Sequence, residues 1–421
     1  MKNKFKKLTA AFLAFAMMVT VLAVAPPTAS AAQKKQNDYP IILCHGNTGW
    51  GRNEMLGYRY WGGLIDIQKK MSNAGYTTLT SSVGPFSSNW DRACELYAYL
   101  KGGRVDYGKA HSEKYGHERF GRTFAALYPK WGTETDEKIN KVHLIAHSQG
   151  GQTARMLIQL LEDGCEEEKE ASPTDCSPLF QGGKSWVASL TTLASPHDGT
   201  TLADVDVYKL KDFAKYTISA AAAAVGKKTE PVFDFKLDQW DLKRERGECF
   251  LHYADRVYNS SIWNEGTEDF SFWDLSTTGA AAQNSWVTAK DDVYYFSYAA
   301  CATKPELLTG FHIGKPLVMN PALFPTAAVI GLYTRHGKQE PDIDSSWWPS
   351  DGIVNTISAT GPKLNSTDEI VDFDGTPQIG KWNYMGEQNM DHMAVVGIGK
   401  FSVTDVFMSI AKRVSSLPVV S

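Results

Sequence analysis

Residues 146–150, Ala-His-Ser-Gln-Gly, place a serine between two contrasting patterns of apolar residues. The preceding segment, 141–146, is a short apolar run typical of a buried strand, whereas the following segment, 152–162, has the pattern of a helix. A serine between a strand and a helix, with small residues on either side, is typical of a nucleophile elbow, a turn that exposes the hydroxyl in a strained backbone. Ser148 is therefore the candidate nucleophile, although Ala146 stands where glycine is usual.

A serine hydroxyl becomes a good nucleophile only when a base takes its proton, and a carboxylate must hold that base in place. Where the serine lies on a strand-to-helix turn, the chain order is serine, acid, histidine. Five histidines follow Ser148 in the sequence, at positions 197, 252, 312, 336 and 392. His392 lies near the end of the chain, as this order requires, and is the candidate base.

Two aspartates are candidates for the acid. Asp351 lies in a turn, Ser-Asp-Gly-Ile-Val-Asn at 350–355, that precedes an apolar run. Asp198, in Ser-Pro-His-Asp-Gly at 195–199, also follows a strand pattern, and it equally fits a turn residue that caps the next element. The residues alone favour Asp351 but leave Asp198 open.

Ester hydrolysis also needs two N–H groups directed at the negative oxygen that develops on the carbonyl. Gln149, the residue after the serine, supplies one from its backbone. The glycine-containing loop 45–49, which follows the first predicted strand, is expected to supply the other, and we assign it to Asn47. His45 and His147 are expected to be structural, because both precede the nucleophile and break the chain order.

Short apolar runs alternate with helix-like segments along the chain. The runs cover residues 39–44, 141–146, 187–194 and 293–298. Apolar strands separated by helices are typical of an α/β fold with a mainly parallel sheet that helices cover on both faces. The chain has no internal repeat and no long linker, so we expect one catalytic domain with insertions over residues 32–421.

The first 31 residues have the pattern of a secretory signal peptide. Four lysines precede an apolar run over residues 8–24, and Ala-Ser-Ala follows at 29–31. Cleavage after residue 31 changes the formal net charge from −4 to −8, because these residues hold four lysines and no acidic residue. We therefore expect a secreted, extracellular protein without integral membrane association, and the acidic balance argues against binding of nucleic acid.

Six cysteines lie beyond this leader, at positions 44, 94, 165, 176, 249 and 301. An extracellular protein can form disulfides, but a chain of 421 residues with 43% hydrophobic residues can bury a core without them. Cys165 and Cys176 bracket a polar, acidic stretch, which makes them the most favoured pair. Spacing alone leaves this pairing open.

Nine motifs within residues 40–392 resemble, in order, those of the secreted thermoalkalophilic Bacillus and Geobacillus lipases and of the related staphylococcal lipases. They are HGNTGWG at 45–51, YWGG at 60–63, GPFSSNWDRAC at 84–94, VDYG at 105–108, GHERFGRT at 116–123, AHSQGGQTARM at 146–156, PHDGTT at 196–201, DFKLDQW at 234–240 and DGIVNT at 351–356. Motifs of this length and order are far more specific than the five-residue turn alone.

The resemblance implies an α/β-hydrolase fold and a triacylglycerol lipase that acts on lipid esters at an oil–water interface. It implies Ser148 as nucleophile, His392 as base and Asp351, rather than Asp198, as acid. A carboxylesterase or phospholipase on the same scaffold is the alternative among enzymes. A hydrolase fold used only for binding is disfavoured, because such proteins typically lack a residue of the triad and this chain has all three candidates.

The resemblance also implies a structural zinc site in an insertion formed by about residues 85–120 and 240–275. The residues at the ligand positions are Asp91, His111, His117 and Asp269. Two imidazoles and two carboxylates can close a four-coordinate shell with no open position, which is typical of a structural zinc site. The spacing of the two histidines does not predict this site on its own.

Two features of this chain depart from the family. Asn47 stands where an aromatic residue is usual, so the acyl-binding wall is expected to be more polar and the preferred chain length to differ. Ala394, Gly399 and Lys400 stand where the family has a glutamate and an Asp-Pro pair that build part of its calcium site. Because Ca²⁺ prefers hard anionic oxygen ligands, we predict that this calcium site is absent.

Residues 206–235 match the lid of the family. The segment contains an alanine-rich helical stretch, 218–225, and an apolar side that includes Phe213, Tyr216 and Ile218. Such a helix can cover an apolar acyl groove in water and move aside at a lipid surface. A permanently packed core helix is the alternative.

Overall fold

The computed structural model describes residues 35–205, 233–263, 267–337, 341–399 and 401–419. Its strands are β1 Ile41–Cys44, β2 Thr78–Thr80, β3 Gly103–Asp106, β4 Phe120–Phe124, β5 Glu134–Thr135, β6 Lys138–Ile139, β7 Val142–His147, β8 Val187–Leu193, β9 Tyr294–Ala300, β10 Thr303–Pro305, β11 His312–Gly314, β12 Ile370–Asp372 and β13 Trp382–Gln388. Seven of them form a central sheet in the order β12-β13-β9-β8-β7-β1-β2, in which all neighbours are parallel. The predicted mainly parallel sheet is therefore confirmed.

The three strands β7, β8 and β9 are buried along their whole length. Their apolar runs predict this burial, because a parallel sheet has helices on both faces. The sequence patterns do not reveal β2, β12 and β13. The first two have only three residues each, and β13 carries polar side chains and is partly exposed, so none of them forms an apolar run.

The described helices cover both faces of the sheet and the insertion. They are α1 Ile67–Asn73, α2 Asn89–Lys101, α3 Lys109–Tyr115, α4 Gln149–Glu162, α5 Glu166–Ala171, α6 Thr201–Val205, α7 Phe250–Tyr258, α8 Ser271–Leu275, α9 Thr277–Asn284, α10 Phe324–Ile330 and α11 Thr404–Ser415. The predicted helix over 152–162 is thus α4, which begins three residues earlier because the turn at the serine leads directly into it.

Two apolar cores lie on opposite faces of the sheet. Leu144 of β7 belongs to the core beneath α2 and α4, whereas its neighbour Ile145 belongs to the core beneath α1 and α11. Successive side chains of a strand point to opposite faces, which explains why both residues are buried. The sheet is therefore held rigidly from both sides, and the loops at its carboxyl edge start from fixed positions.

A third core is aromatic and lies in the insertion. Phe86, Phe235, Phe250 and Trp263 belong to it, and the rings of Phe86 and Phe235 stack with centroids 5.9 Å apart. Phe86 lies near the start of the first predicted insertion segment, and the other three lie in or just before the second. The two segments therefore pack together, while the division of the chain into domains stays a prediction.

The remaining sequence-based predictions concern the signal peptide, the lid and the pairing of the cysteines. The predicted signal peptide, residues 1–31, and most of the predicted lid, residues 206–232, lie outside the described residues. A helix long and apolar enough to cross a membrane is not found in the part of the chain that the structure describes. All six cysteines are free, and Cys165 and Cys176 contact neighbouring oxygen atoms, so the favoured bridge between them is not formed.

The carboxyl ends of parallel strands meet at one edge of the sheet. The loops that follow β1, β7, β9 and β13 therefore gather there. In open α/β sheets this edge is where sites are built, since loops from several strands can place side chains around one point. The candidate nucleophile and base follow β7 and β13 at this edge.

Candidate functional site

Ser148 directly follows β7 and precedes α4. Its φ of 56° lies in the left-handed region, which a non-glycine residue adopts at a cost in backbone strain. The loop after β1 lies so close that a Cβ at Gly46 would be 2.5 Å from Ser148 Cβ. A Cβ at Gly150 would be 2.5 Å from the carbonyl oxygen of Cys44. Both glycines are therefore needed for this turn to pack, as expected for a nucleophile elbow.

The three predicted triad residues lie in one chain of hydrogen bonds. Nε2 of His392 lies 3.0 Å from Oγ of Ser148, and Nδ1 of His392 lies 2.7 Å from Oδ2 of Asp351. Because a carboxylate only accepts, Nδ1 carries the proton and Nε2 is free to accept from the serine hydroxyl. The other carboxylate oxygen of Asp351 accepts from the N–H groups of Ile353 and Val354. This arrangement can move the serine proton onto the imidazole.

Asp198, the other candidate acid, makes its contacts elsewhere. Its Oδ1 accepts from Nδ2 of Asn284 at 2.9 Å and from the N–H groups of Lys363 and Leu364 at 2.8 and 3.0 Å. Burial raises the pKa of Asp198 to about 6, although the two N–H bonds and the charge of Arg155 oppose this rise. Asp198 therefore joins the end of α9 to a loop and does not orient the candidate base.

Asn47 and Gln149, the predicted oxyanion residues, are in contact beside the serine. Nδ2 of Asn47 donates to Oγ of Ser271 at 2.9 Å and lies 3.5 Å from Oε1 of Gln149. Nε2 of Gln149 donates to the carbonyl oxygen of Ser87 at 3.2 Å. The backbone N–H groups of Asn47 and Gln149 have no hydrogen-bond partner among the described residues. Both N–H groups are thus available to a substrate oxygen.

His147 and Tyr60 form a second, buried set of hydrogen bonds behind the serine. The hydroxyl of Tyr60 donates to Nδ1 of His147 at 2.6 Å and accepts from the N–H of Gly46 at 3.0 Å. Nε2 of His147 lies 2.9 Å from the carbonyl oxygen of His392. Burial holds the pKa of His147 well below its ordinary value, so the ring is neutral. The sequence motif at 60–63 points to Tyr60 but does not indicate this role.

Arg92 of α2 is a fully buried cation that the sequence analysis does not identify. Its guanidinium donates to Oγ1 of Thr153 at 2.8 Å and to the carbonyl oxygens of Gly84 and His45 at 2.5 and 2.6 Å. Burial lowers the pKa of Arg92 to about 10, so it stays charged at neutral pH. Arg92 therefore fixes the start of the predicted oxyanion loop against α4. A single arginine inside a helix carries no local signal for such a role.

The four predicted zinc ligands form a compact, buried cluster in the insertion. Nε2 of His111 lies 3.2 Å from Oδ1 of Asp269, and Nε2 of His117 lies 3.1 Å from Oδ2 of the same residue. Oδ1 of Asp91 lies 3.4 Å from Nε2 of His111, and one possible ligand atom from each residue lies within 4.8 Å of the others. Asp91 lies on α2, His111 on α3, His117 just after α3, and Asp269 just before α8.

The polar atoms of this cluster point to a cation. The atoms without a hydrogen-bond donor or acceptor partner among the described residues are Oδ1 of Asp91, Nε2 of His111, Nε2 of His117 and both carboxylate oxygens of Asp269. Leaving several buried polar atoms unsatisfied is costly, and a metal ion would satisfy all of them. Two imidazole and two carboxylate ligands fit Zn²⁺.

Neighbouring groups orient the possible ligands. Nδ1 of His117 lies 2.9 Å from the carbonyl oxygen of Glu118, so this nitrogen donates and Nε2 keeps its lone pair. Nε2 of Gln239 donates to Oδ2 of Asp91 at 2.7 Å, which leaves Oδ1 toward the cluster. The ring of Trp90 stacks on His111 with centroids 4.9 Å apart. Hydrogen bonds and ring stacking therefore hold the possible ligands in an orientation suited to a metal ion.

The positions of the predicted lost calcium site lie just beyond the candidate base. Ala394 begins a short 3₁₀ turn and is buried, and Gly399 has a φ of 138°. Lys400 lies outside the described residues. The nearest carboxylate in sequence, Asp391, accepts from the N–H groups of Asn320 and Ala394. Its oxygens thus stabilise the loop that carries His392.

The family model described as "Lipase-like, C-terminal domain" matches residues 37–409. Lipase 1 of Staphylococcus aureus (strain MRSA252) is 35% identical over 381 residues, which are 88% of this chain and 52% of that protein. The lipase of Staphylococcus epidermidis (strain ATCC 35984 and its equivalents) is 35% identical over 377 residues, 87% of this chain and 51% of that protein. The chain thus spans about half the length of these curated relatives.

Three solved structures are similar over nearly the whole chain. EstA from Clostridium botulinum has a TM-score of 0.88 at 45% identity, with 95% of this chain and 94% of that one covered. Lipase 1 from Pelosinus fermentans has a TM-score of 0.83 at 53% identity, with 91% and 100% covered. Staphylococcus hyicus lipase has a TM-score of 0.74 at 32% identity, with 93% and 98% covered. The resemblance to staphylococcal lipases that the motifs indicate is therefore confirmed.

Proposed function

Because the chain belongs to the family described as "Lipase-like, C-terminal domain", we propose that it is a lipase that hydrolyses the carboxylic ester bonds of triacylglycerols. The observation that carries the proposal is the chain of hydrogen bonds from Asp351 through His392 to Ser148. On a strand-to-helix turn, such a chain activates a serine for attack on a carbonyl. The relatives named lipase support lipid esters as the substrate class.

In the first half of the reaction, Oγ of Ser148 attacks the ester carbonyl carbon while its proton passes to Nε2 of His392. The carbonyl oxygen becomes an oxyanion, and the backbone N–H groups of Asn47 and Gln149 donate to it. Asp351 accepts from Nδ1–H and stabilises the imidazolium. The tetrahedral intermediate then collapses, His392 gives its proton to the leaving alcohol oxygen, and an acyl-serine remains.

In the second half, a water molecule replaces the alcohol beside His392. Nε2 of His392 takes a proton from this water, and the water oxygen attacks the acyl carbon. The same two N–H groups hold the second oxyanion. Collapse breaks the bond to Oγ of Ser148, which recovers its proton from His392, and the fatty acid leaves. The enzyme returns to its starting state with one water consumed.

The buried cluster supports a zinc ion with a structural role. Asp91, His111, His117 and Asp269 would hold it, and the ion would neutralise the carboxylates and join the two parts of the insertion. The triad residues hydrogen-bond one another and not the residues of this cluster in the described part of the chain, and four protein ligands leave no position for substrate. The chemistry at the ester therefore rests on the side chains and N–H groups of the triad and oxyanion loop.

We place the enzyme outside the cell, where it meets its substrate at an oil–water interface. The lysines, the apolar run and the Ala-Ser-Ala sequence within residues 1–31 support secretion. The similarity to staphylococcal lipases supports the proposed activity, but it gives no support for how the protein is exported.

The test is hydrolysis of a triacylglycerol at constant pH, with substrate concentrations from below to above its solubility limit. Ser148→Ala is the inactive variant, and Ser195→Ala, a buried serine in another loop of the same sheet edge, is the matched control. We expect the rate of hydrolysis to rise sharply when the emulsion forms. We expect the rate of the Ser148→Ala variant to be lower by roughly 10⁴-fold or more. Ser195→Ala should keep most of the rate.

Other outcomes would redirect or overturn the proposal. A rate that saturates below the solubility limit would make the protein a carboxylesterase, and preference for emulsified phospholipid over triacylglycerol would make it a phospholipase. A Ser148→Ala variant that keeps full activity would remove Ser148 from the mechanism. Hydrolysis of none of these esters by the unchanged, folded protein would leave only a binding role.

A further inference from the structure

Large apolar side chains that stay exposed are concentrated on two segments of this protein. Of fifteen such residues in the described chain, ten lie on these segments. They are Leu56, Leu64 and Ile65 on the first segment, and Leu307, Leu308, Phe311, Ile313, Leu317, Phe324 and Leu332 on the second. Scattered exposed apolar residues are ordinary, but a contiguous group marks an interaction surface. We call these ten residues the apolar rim.

Both segments lie at the carboxyl edge of the central sheet. The first follows β1, and the second follows β9. Ser148 follows β7, which lies between β1 and β8 in the same parallel sheet. The rim and the candidate nucleophile therefore share one edge of the molecule. By contrast, the exposed Ile139 precedes β7 and belongs to the opposite, amino edge.

The tip of the second segment is a turn held by hydrogen bonds. The hairpin of β10 and β11 places Leu307 and Leu308 at its end, with 99% and 92% of each residue exposed. The carboxylate of Glu306 accepts from the N–H of Leu308 at 3.0 Å and from the N–H and hydroxyl of Thr309 at 2.9 Å. These hydrogen bonds fix the turn, so the two leucines are held outward by the local structure.

The second segment is tied to the loops of the proposed acid and base. The N–H of Ser350, next to Asp351, donates to Oγ1 of Thr303 at 2.9 Å. The N–H of Asn320 donates to Oδ2 of Asp391, next to His392, at 2.8 Å. With about 3.3 Å per residue, Leu307 lies within roughly 13 Å of Thr303. The exposed leucines thus lie near a residue, Thr303, that contacts the loop of the proposed acid.

The first segment is tied to the other side of the base loop. The N–H of Gly62 donates to the carbonyl oxygen of Val396 at 2.7 Å, and Leu64 lies two residues further on. A Cβ at Gly397 would be 3.0 Å from Cα of Gly62, so the two backbones are packed without a gap. The apolar rim therefore brackets the loop of His392 from both sides.

The rim carries few charges. Residues 304–332 contain one acidic residue, Glu306, and two lysines, Lys304 and Lys315. In the first segment, Arg59 pairs with Asp66 at 3.7 Å. The carboxylate of Glu306 is used within its own turn, and the ammonium of Lys315 donates to Oδ1 of Asn389 at 2.9 Å. With Lys304 as its exposed charge, a surface of this kind has little to pair with a charged macromolecule or an anionic membrane, whereas its apolar area matches an uncharged apolar surface.

We propose that the apolar rim docks the protein onto the surface of a neutral lipid aggregate and thereby presents the active site to it. The inference rests on the proposed function, because that function supplies a neutral, insoluble lipid as the partner. The leucines at the hairpin tip enter the lipid surface, which removes their apolar area from water. The loops of Asp351 and His392 are then held at the interface through their hydrogen bonds to the rim.

The experiment measures partition onto a neutral surface in the Ser148→Ala protein, so that the result does not depend on hydrolysis. The probes are a trioctanoylglycerol emulsion, phosphatidylcholine vesicles, and phosphatidylcholine vesicles that also contain anionic phosphatidylglycerol, with the bound fraction determined after flotation. The variant is Leu307→Ser with Leu308→Ser, and the matched control is Ile139→Ser with Leu251→Ser, two exposed apolar side chains outside the rim. Thermal unfolding checks that each variant is folded.

We expect the rim variant to lower the partition coefficient roughly tenfold or more, since two leucines no longer enter the lipid, and the control to stay within twofold. If the double variant fails to fold, each single substitution should show a smaller drop. Equal partition of both variants would overturn the proposal. Binding of the parent only to anionic vesicles would also overturn it, as would a parent dimer that the rim variant dissociates without a change in partition.

The outcome of this partition experiment can be distinguished from the outcome of the hydrolysis test of the proposed function. If the parent partitions onto emulsion through the rim but the active protein hydrolyses no lipid ester, the docking surface stands and the proposed function fails. If the active protein hydrolyses emulsified triacylglycerol and the rim variant partitions as the parent does, the proposed function stands and the docking surface fails.

Discussion

Nε2 of His147 donates a hydrogen bond to the carbonyl oxygen of His392 at 2.9 Å, so the residue before the proposed nucleophile supports the loop of the proposed base. The other nitrogen of the same ring accepts from Tyr60, whose hydroxyl in turn accepts from the N–H of Gly46. One neutral imidazole thus connects the three loops that carry the proposed nucleophile, the proposed base and the proposed oxyanion N–H groups. Its neutrality matters, because a protonated Nδ1 could not accept from Tyr60.

Replacement of Tyr60 by phenylalanine should lower kcat while KM changes little. The variant leaves the N–H of Gly46 and Nδ1 of His147 buried without a partner, which costs about 1–3 kcal/mol per group and loosens both loops. We expect kcat on a dissolved short-chain ester to fall about tenfold. Steady-state kinetics measure the change in kcat. The control is Tyr58→Phe, which removes a neighbouring hydroxyl outside these hydrogen bonds. A Tyr60→Phe variant with unchanged kcat would contradict this role.

Replacement of Asp351 by asparagine should reduce kcat far more than the same change at Asp198. Asparagine at 351 can donate to Nδ1 of His392, which favours the wrong tautomer and removes the charge that stabilises the imidazolium. We expect a loss of roughly 10³–10⁴-fold near neutral pH. Asp198→Asn should stay within a few-fold. A larger loss for Asp198→Asn than for Asp351→Asn would reverse the assignment of the acid.

The raised pKa of Asp198 predicts that the stability of the fold depends on pH. Burial raises its folded pKa to about 6, above the ordinary value of 3.8. The folded protein therefore holds a proton that the unfolded chain has released, so this group stabilises the fold below about pH 4, and the contribution is lost as pH rises through about 6. All three hydrogen bonds to Asp198 reach one oxygen, Oδ1, which asparagine retains.

The unfolding temperature of Asp198→Asn should therefore exceed that of the unchanged protein by a few degrees at pH 8. The difference should shrink as pH falls from about 6 to about 4, because the folded aspartate becomes neutral over this range as well. Thermal unfolding followed by circular dichroism over this pH range measures the effect. A variant that is less stable at pH 8 and equal at pH 4 would mean that the ionised carboxylate is favoured in the fold.

Removal of the metal should destabilise the insertion. We expect a strong zinc chelator to lower the unfolding temperature by several degrees and zinc to restore it, because two buried carboxylates lose their counter-ion. Metal analysis of the purified protein should find about one zinc ion per chain. Asp269→Asn should unfold at a lower temperature and no longer respond to the chelator.

Added calcium should change the unfolding temperature little, since Ala394 and Gly399 offer no carboxylate at the positions of the family's site. The measurement is the same thermal unfolding, on metal-loaded protein with Ca²⁺ or Mg²⁺ added. A large rise with Ca²⁺ alone would show that other oxygen ligands have replaced the lost ones.

Local sequence patterns predict the residues whose role follows from one segment. The apolar runs predict β1, β7, β8 and β9, because a buried strand must be apolar along its length. Ser148 follows from the junction of such a run with a helix, and His392 follows from chain order. Tyr60 and Arg92 could not be found in this way, since their roles arise from contacts with residues 87 and 61 positions away, respectively.

The predicted metal ligands show the same limit. Asp91 and Asp269 are far apart in sequence, and only packing of α2 against the segment before α8 brings them together. The resemblance to known lipases supplied what spacing could not. The strands β12 and β13 also escaped prediction, because a strand near the sheet edge with polar, half-exposed side chains has no apolar run to reveal it.

The proposed mechanism requires that Ser148 forms a covalent intermediate with a lipid ester. Reaction of the purified protein with a long-chain alkylphosphonate p-nitrophenyl ester, followed by peptide mass analysis and by activity measured in parallel, tests this requirement. We expect one adduct on the peptide that contains Ser148, formed in step with loss of activity and absent from Ser148→Ala. Full inactivation with the adduct on another residue, or full activity with Ser148 modified, would show that Ser148 is not the nucleophile.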